Sequence, residues 1–175
     1  MGTIVNERIV DYINSLDKGN SPVCNAIEKE ALADGVPIIR KEMGNLLKVL
    51  LLLKQPQKIL EVGTAVGYSS ILMSENMPQN CRITTIENYE KRIPVAKNNF
   101  KRAGKEEVIT LLEGDAMDIL KELDGTYDFI FMDAAKAQYV HYLKEAVRLM
   151  KKGAVLVADN ACGRTAHFRQ CITGR

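Results

Sequence analysis

The spacing of apolar positions changes near Pro56. Before it, apolar residues recur at helical intervals; after it, short apolar runs alternate with amphipathic segments. Ile9, Ile13 and Leu16 predict a helix from about Ile4 to Leu16. Ser21 and Pro22 open a second helix that closes near Gly35, and a third runs from about Arg40 to Lys54. Beyond Pro56 the runs KILEV (58–62), RITTIE (82–87), VITLLE (108–113), YDFIFMD (127–133) and AVLVAD (154–159) read as strands. The stretches 68–77, 89–103, 116–123 and 137–151 between them read as helices. Five strands separated by four helices predict a mostly parallel α/β sheet wound with right-handed crossovers.

No repeat, low-complexity stretch or Gly/Ser linker divides the chain. The expectation is one domain over 1–175, with a helical cap at 1–55, an α/β core at 56–160 and an irregular tail at 161–175. That tail, ACGRTAHFRQCITGR from 161, carries neither strand alternation nor a helical stripe.

Composition narrows the partners. The chain has 175 residues, 46% of them hydrophobic, enough for one domain that buries roughly 70% of its unfolded surface. A net charge of +2 without a dense Lys/Arg run advertises no electrostatic grip on nucleic acid. Cys24, Cys81, Cys162 and Cys171 form no metal-ligand spacing, and no apolar secretory core opens the chain, so a cytoplasmic, reduced protein is expected. The apolar run from Val49 to Leu53 falls far short of the roughly 20 residues that span a membrane.

The chemistry gathers where strands should stop. In an open parallel sheet, ligands collect outside the carboxyl ends of the strands, so three chemically rich strand ends converge on one cleft. The first is EVGTAVGYS at 61–69, which places Gly63 and Gly67 at a turn where backbone approaches a ligand. Its G-x-x-x-G spacing is neither the dinucleotide fingerprint nor a phosphate loop. Glu61, just before the first glycine, is awkward beside a pyrophosphate and suits a cationic, amino-acid-bearing cofactor, a description that S-adenosylmethionine fits. Glu87 closes the second strand, where a carboxylate accepts hydrogen bonds from both ribose hydroxyls. Asp115 and Ala116 follow the third strand and meet an adenine edge. The bland alternative makes the glycines tight-turn residues and Glu87 a solvated strand end.

The other two ends are MDAAK at 132–136 and ADN at 158–160. Asp133, Asp159 and Asn160 offer two carboxylates and an amide oxygen to one cleft, a hard-oxygen set suited to Mg²⁺ or another divalent cation. Such an ion would lower the pKa of a coordinated hydroxyl and make it a methyl acceptor. Lys136, one short turn beyond Asp133, is placed as a general base. Taken singly, the aspartates read as helix N-caps and the lysine as a surface charge. His141 and His167 read as surface or packing residues, Met132 and Met150 as core, and Tyr139 as either packing or a substrate-mouth residue. The pairs Lys91-Arg92, Lys101-Arg102 and Lys151-Lys152 read as solvated helix faces.

These residues together resemble the cation-dependent O-methyltransferases that include the catechol and caffeoyl-CoA enzymes and their bacterial relatives. VPII at 36–39, KQPQKILEVGTAVGYS at 54–69 and DAAKAQY at 133–139 most resemble the bacterial tRNA 5-hydroxyuridine methyltransferases. The resemblance covers about residues 5–160 and implies a Rossmann-like, S-adenosylmethionine-dependent fold. It implies that Ile39, Gly63, Ser69, Glu87, Asp115, Ala116 and Asp133 contact S-adenosylmethionine. It further implies that Asp133, Asp159 and Asn160 hold the metal, and that Lys136 is the catalytic lysine. Family members continue past the Asp-Asn pair with a helix and two more strands, whereas this chain stops 15 residues after Asn160. A truncated or frame-shifted coding sequence, or a crossed-over arm in a homodimer, would account for the two missing strands.

The expected activity is transfer of the methyl group of S-adenosylmethionine to a hydroxyl, with 5-hydroxyuridine in the tRNA wobble position first and a small catechol-like phenol second. A module that binds S-adenosylmethionine with little turnover is the alternative class. A nicotinamide dehydrogenase comes third, against the absent fingerprint and Glu61.

Overall fold

A computed structural model of the chain describes residues 6–17, 19–134 and 138–159. Three helices come first: α1 (Glu7–Ser15), α2 (Pro22–Ala33) and α3 (Lys41–Lys54). Ser21 caps α2, its hydroxyl accepting from the Cys24 N–H at 3.1 Å, and Pro22 at the first turn sacrifices no helical hydrogen bond. Gln55 ends α3 in the left-handed region, its N–H returning to the Leu51 carbonyl at 2.9 Å. Ile9 in α1 and Leu16 just beyond its end are more than half exposed, so the predicted stripe is not buried.

From there strands and helices alternate: β1 (Lys58–Val62), α4 (Tyr68–Asn76), β2 (Arg82–Glu87), α5 (Ile93–Arg102), β3 (Ile109–Glu113), α6 (Ala116–Glu122), β4 (Tyr127–Met132), α7 (Tyr139–Arg148) and β5 (Met150–Ala158). The five strands form one parallel sheet in the order β3-β2-β1-β4-β5. Two boundaries differ from the expectation. The helix predicted from 89 begins only at Ile93, because the Asn88 and Tyr89 N–H groups point at the Glu87 carboxylate and Pro94 suits a first turn. The helix predicted to 151 stops at Arg148, and Met150 pairs with Tyr127 as β5 begins early, across a register shift before Phe129.

The sheet is covered on both faces, so its central strands read as near-continuous apolar runs. Ile59, Ile83, Phe129 and Phe131 face one core with α2, α3, α4 and α5, while Leu60, Val62, Ile130 and Met132 face the other with α6 and α7. Cys24 and Cys81 lie buried in the first core as free thiols, pushed up to about 12 and about 11 by that burial and therefore inert. Asp128 ties the other end of the sheet: its Oδ2 accepts from the Gln57 and Lys58 N–H groups at 3.0 and 3.1 Å, and Lys151 lies 3.3 Å from Oδ1. Lys151 is thus a strand residue and not part of a helix face. No helix among the described residues is long and apolar enough to cross a membrane.

Because the chain runs outward from β1 to β3 and then returns to β4 on the far side of β1, the loops after β1 and β4 part in opposite directions. A crevice opens at that reversal. The tail after Asp159, and with it the expectation of two missing strands, lies outside the described residues.

Candidate active site

The loop after β1 turns back on β2. The Gly63 and Thr64 N–H groups both donate to the Ile86 carbonyl at 3.1 Å, and Gly63 adopts φ +102. A Cβ on Gly63 would stand 2.4 Å from the Asp133 carbonyl oxygen, so only glycine lets the loops after β1 and β4 meet. Above this meeting point lies a cleft of about 570 Å³, in the range of small-molecule and cofactor sites.

Ile39, Gly63, Ser69, Glu87, Ala116, Asp133 and Asp159 all line that cleft, as the sequence reading expected. Glu87 is held firmly: Oε2 accepts from the Ala65 N–H at 2.7 Å, and Oε1 from Tyr89 and Asn88 at 2.9 and 3.1 Å. A carboxylate fixed by three backbone donors keeps lone pairs for a ligand diol. Asp133 and Asp159 follow neighbouring strands, their N–H groups donating to the Val62 and Met132 carbonyls at 2.9 Å each. Tyr139 locks the pair of strand ends from below, its hydroxyl donating to the Asp159 carbonyl at 2.8 Å with Met132 O at 3.2 Å. Burial, then the Asp133 and Asp159 charges, hold that phenol well above its ordinary value. Tyr139 therefore positions the acids and packs, and does not stand at the mouth. Neither acid caps α7, whose N-cap is Gln138.

Three expected contacts do not reach the cleft. Glu61 has no exposed surface; its carboxylate accepts from the hydroxyls of Ser69 at 2.5 Å, Thr85 at 2.6 Å and Ser70. Burial pushes it up to about 7 against the pull of those three donors. Gly67, φ +85, turns toward the core, where a Cβ would meet the Phe100 ring at 2.6 Å; it serves helix packing and not ligand approach. Asp115 caps α6, accepting from the Met117 N–H at 2.8 Å, and leaves the cleft wall to Gly114 and Ala116. Lys136 and Asn160 lie outside the described residues.

Sequence reasoning missed Thr64, Tyr68, Arg92 and Tyr142 on the cleft wall and the supporting hydroxyls of Ser70 and Thr85. Thr85 carried a readable signal: it pairs directly with Glu61 across two central strands, and a hydroxyl beside a buried acid in an otherwise apolar run is its partner. Arg92 is not a solvated face residue either, since it stacks 5.3 Å above the Tyr89 ring at the cleft wall.

For a divalent cation, the donor chemistry fits as far as it is described. Asp133 and Asp159 supply two hard carboxylates from adjacent strand ends. Among the described residues no group of three acidic, histidine or cysteine side chains gathers into a metal cage. The third oxygen expected, that of Asn160, lies outside them.

Comparison with known proteins gives a consistent result. A family model described as O-methyltransferase matches residues 25–166. A catechol O-methyltransferase of Niastella koreensis is 36% identical over 91% of this chain and 75% of its own length. A caffeoyl-CoA O-methyltransferase of Stellaria longipes is 34% identical over 67% of this chain, which spans 51% of that enzyme. Among solved structures, the O-methyltransferase TomG of Streptomyces achromogenes, in complex with SAM, superposes with a TM-score of 0.85 at 27% identity, covering 99% of this chain and 88% of TomG.

Proposed function

The chain belongs to the O-methyltransferase family, and from that membership we propose that it transfers the methyl group of S-adenosylmethionine to a hydroxyl of a small catechol-like phenol. One observation carries the reading: Glu87, Asp133 and Asp159, from three different strand ends, face one cleft at the reversal of strand order, against a glycine loop only a small residue can complete. The relatives that share these segments are named for catechol and caffeoyl-CoA, which favours a phenolic acceptor.

S-adenosylmethionine supplies an activated methyl on a sulfonium for in-line displacement. Glu87 would receive the ribose diol, Ala116 and Gly114 would border the adenine, and Ile39, Gly63, Ser69 and Asp133 would enclose the amino-acid arm. Asp133, Asp159 and Asn160 would hold a divalent cation, whose positive charge would lower the pKa of an acceptor hydroxyl. Lys136 would then receive the proton of the acceptor hydroxyl. Tyr139 and the β4–β5 hydrogen bonds keep the two aspartates in register, so the protein's contribution is orientation and stabilisation of developing oxyanion charge.

The three segments that resemble tRNA 5-hydroxyuridine methyltransferases make a tRNA wobble uridine the second acceptor. The two are separated by supplying catechol and an anticodon stem-loop bearing 5-hydroxyuridine with labelled S-adenosylmethionine and Mg²⁺. Label on catechol alone supports the phenol, and label on the stem-loop alone replaces it with the RNA. Binding of S-adenosylmethionine without transfer to either leaves a cofactor-binding module, and no binding at all sinks the family activity for this chain.

A further inference from the structure

The loop after β1 holds a strained conformation: Gly63, Ala65 and Gly67 take φ of +102, +48 and +85, and alanine has none of glycine's freedom there. Gly63, Thr64 and Ala65 line the cleft, whereas Val66, 5% exposed, turns inward. Two side chains fasten the loop. Glu87, itself at the cleft wall, takes the Ala65 N–H at 2.7 Å. Asn99, buried in α5 and off the cleft wall, donates its Nδ2 to the Val66 carbonyl at 2.9 Å. The buried face of α5 is Ile93, Ala96, Asn99 and Phe100, and Asn99 is its polar member.

The Asn99 amide is not free to turn. Its Oδ1 accepts from Arg102 Nη1 at 2.9 Å, and the same guanidinium grips Glu30 of α2, Nη1 to Oε2 at 2.6 Å and Nη2 to Oε1 at 2.7 Å. A guanidinium only donates and a carbonyl only accepts, so the amide between them has one orientation. We propose that Asn99 is a positioning residue for the S-adenosylmethionine loop, with Arg102 and Glu30 holding its amide in the orientation that fixes Val66. A chain of hydrogen bonds thus runs from α2 of the helical cap to the loop without touching a ligand. This rests on the reading of the cleft as an S-adenosylmethionine site. Aspartate at this position keeps the size and the Arg102 partner but loses the donor, and sets a carboxylate against the Val66 carbonyl.

The test is amide hydrogen exchange on the ligand-free chain, followed by calorimetric titration with S-adenosylhomocysteine. In Asn99→Asp the Ala65 and Gly67 N–H groups, bonded to Glu87 and to the Thr64 carbonyl, are expected to exchange about tenfold faster, while that of Ile83 in β2 keeps its rate. S-adenosylhomocysteine is expected to bind about tenfold more weakly. A role in stability alone would speed all three amides together. That result, unchanged loop exchange, or a loosened loop with unchanged affinity overturns the proposal. Arg102→Met leaves Asn99 in place and decides the matter if Asn99→Asp does not fold. Loop exchange about threefold faster with Ile83 unchanged then supports the relay, and no local change ends it. If the unmodified chain does not bind S-adenosylhomocysteine, the cofactor reading itself falls and this inference with it, whatever the exchange rates show.

Discussion

The two sides of the cleft are held by different kinds of bond. On the β1–β2 side, side chains do the work: Glu87 gathers three backbone N–H groups, and buried Glu61 gathers three hydroxyls. On the β4–β5 side, Asp133 and Asp159 stand at strand ends fixed by backbone pairs and one tyrosine hydroxyl. Their outer strand is only partly buried, whereas β1 beneath the cofactor loop is buried from Ile59 onward. Low dielectric strengthens hydrogen bonds and penalises any left unmade, so the β1–β2 side has one viable arrangement. The β4–β5 side owes its order to the sheet ladder and the Tyr139 hydroxyl, which hold the two aspartates at the cleft wall.

That contrast can be broken most severely at Gly63, where the two sides meet. Gly63→Ala adds left-handed strain and a Cβ 2.4 Å from the Asp133 carbonyl. The expected outcome is loss of detectable S-adenosylmethionine binding by calorimetry and a destabilisation on the order of 3 kcal/mol in urea unfolding. A variant that binds like the unmodified chain would show that the loops do not need this contact. Next comes Asp159→Ala, which should separate the sides: cofactor affinity without Mg²⁺ stays within about twofold while methyl transfer falls by about a hundredfold or more. Equal loss of both would mean that the two sides form one site.

Smaller effects sharpen the comparison. Glu61 is held by burial at about 7 against an ordinary 4.5, so the folded state keeps its proton longer than the unfolded chain does. Its contribution to stability is complete below about 4.5 and is lost as pH rises through about 7. Glu61→Gln should flatten the fall in stability across that window, a difference on the order of 3 kcal/mol, since one pKa unit is worth about 1.36 kcal/mol. A slope identical to the unmodified chain's would place the titration elsewhere. Tyr139→Phe should cost about 1 kcal/mol in unfolding free energy while leaving S-adenosylhomocysteine affinity intact, because it loosens only the acid side. Asp128, at the opposite end of the sheet, has the reverse sign. Burial raises it, but the Gln57 N–H, Lys151 and the Lys58 N–H together bring it below its ordinary value. Its contribution is present above that value and lost on acidification. Asp128→Asn should therefore reduce the acid sensitivity of unfolding by less than about 1 kcal/mol and leave the cleft untouched.

Much of this architecture was legible along the chain because its signals are local. Ser21-Pro22 marks a helix start wherever it packs, and KILEV and RITTIE are strands within their own bounds. The order of strands and helices then dictates a parallel sheet, and with it the rim on which chemistry collects. Ile39, Gly63, Ser69, Glu87, Ala116, Asp133 and Asp159 follow from that logic and from the family likeness. The three expected contacts that lie off the cleft wall share one cause. Gly67 faces the Phe100 ring of a helix more than thirty positions on, Glu61 finds its partners in α4 and β2, and Asp115 turns back to cap its own helix.

By itself, then, the sequence determined which residues stand at strand ends and hence where a cleft must open, because periodicity and turn chemistry act over a few neighbouring residues. Tertiary structure decided which way each of those residues faces. A polar group buried between strands goes to the partner that satisfies it, and that partner is set by cross-strand register and helix packing, as in the pairing of Glu61 with Thr85.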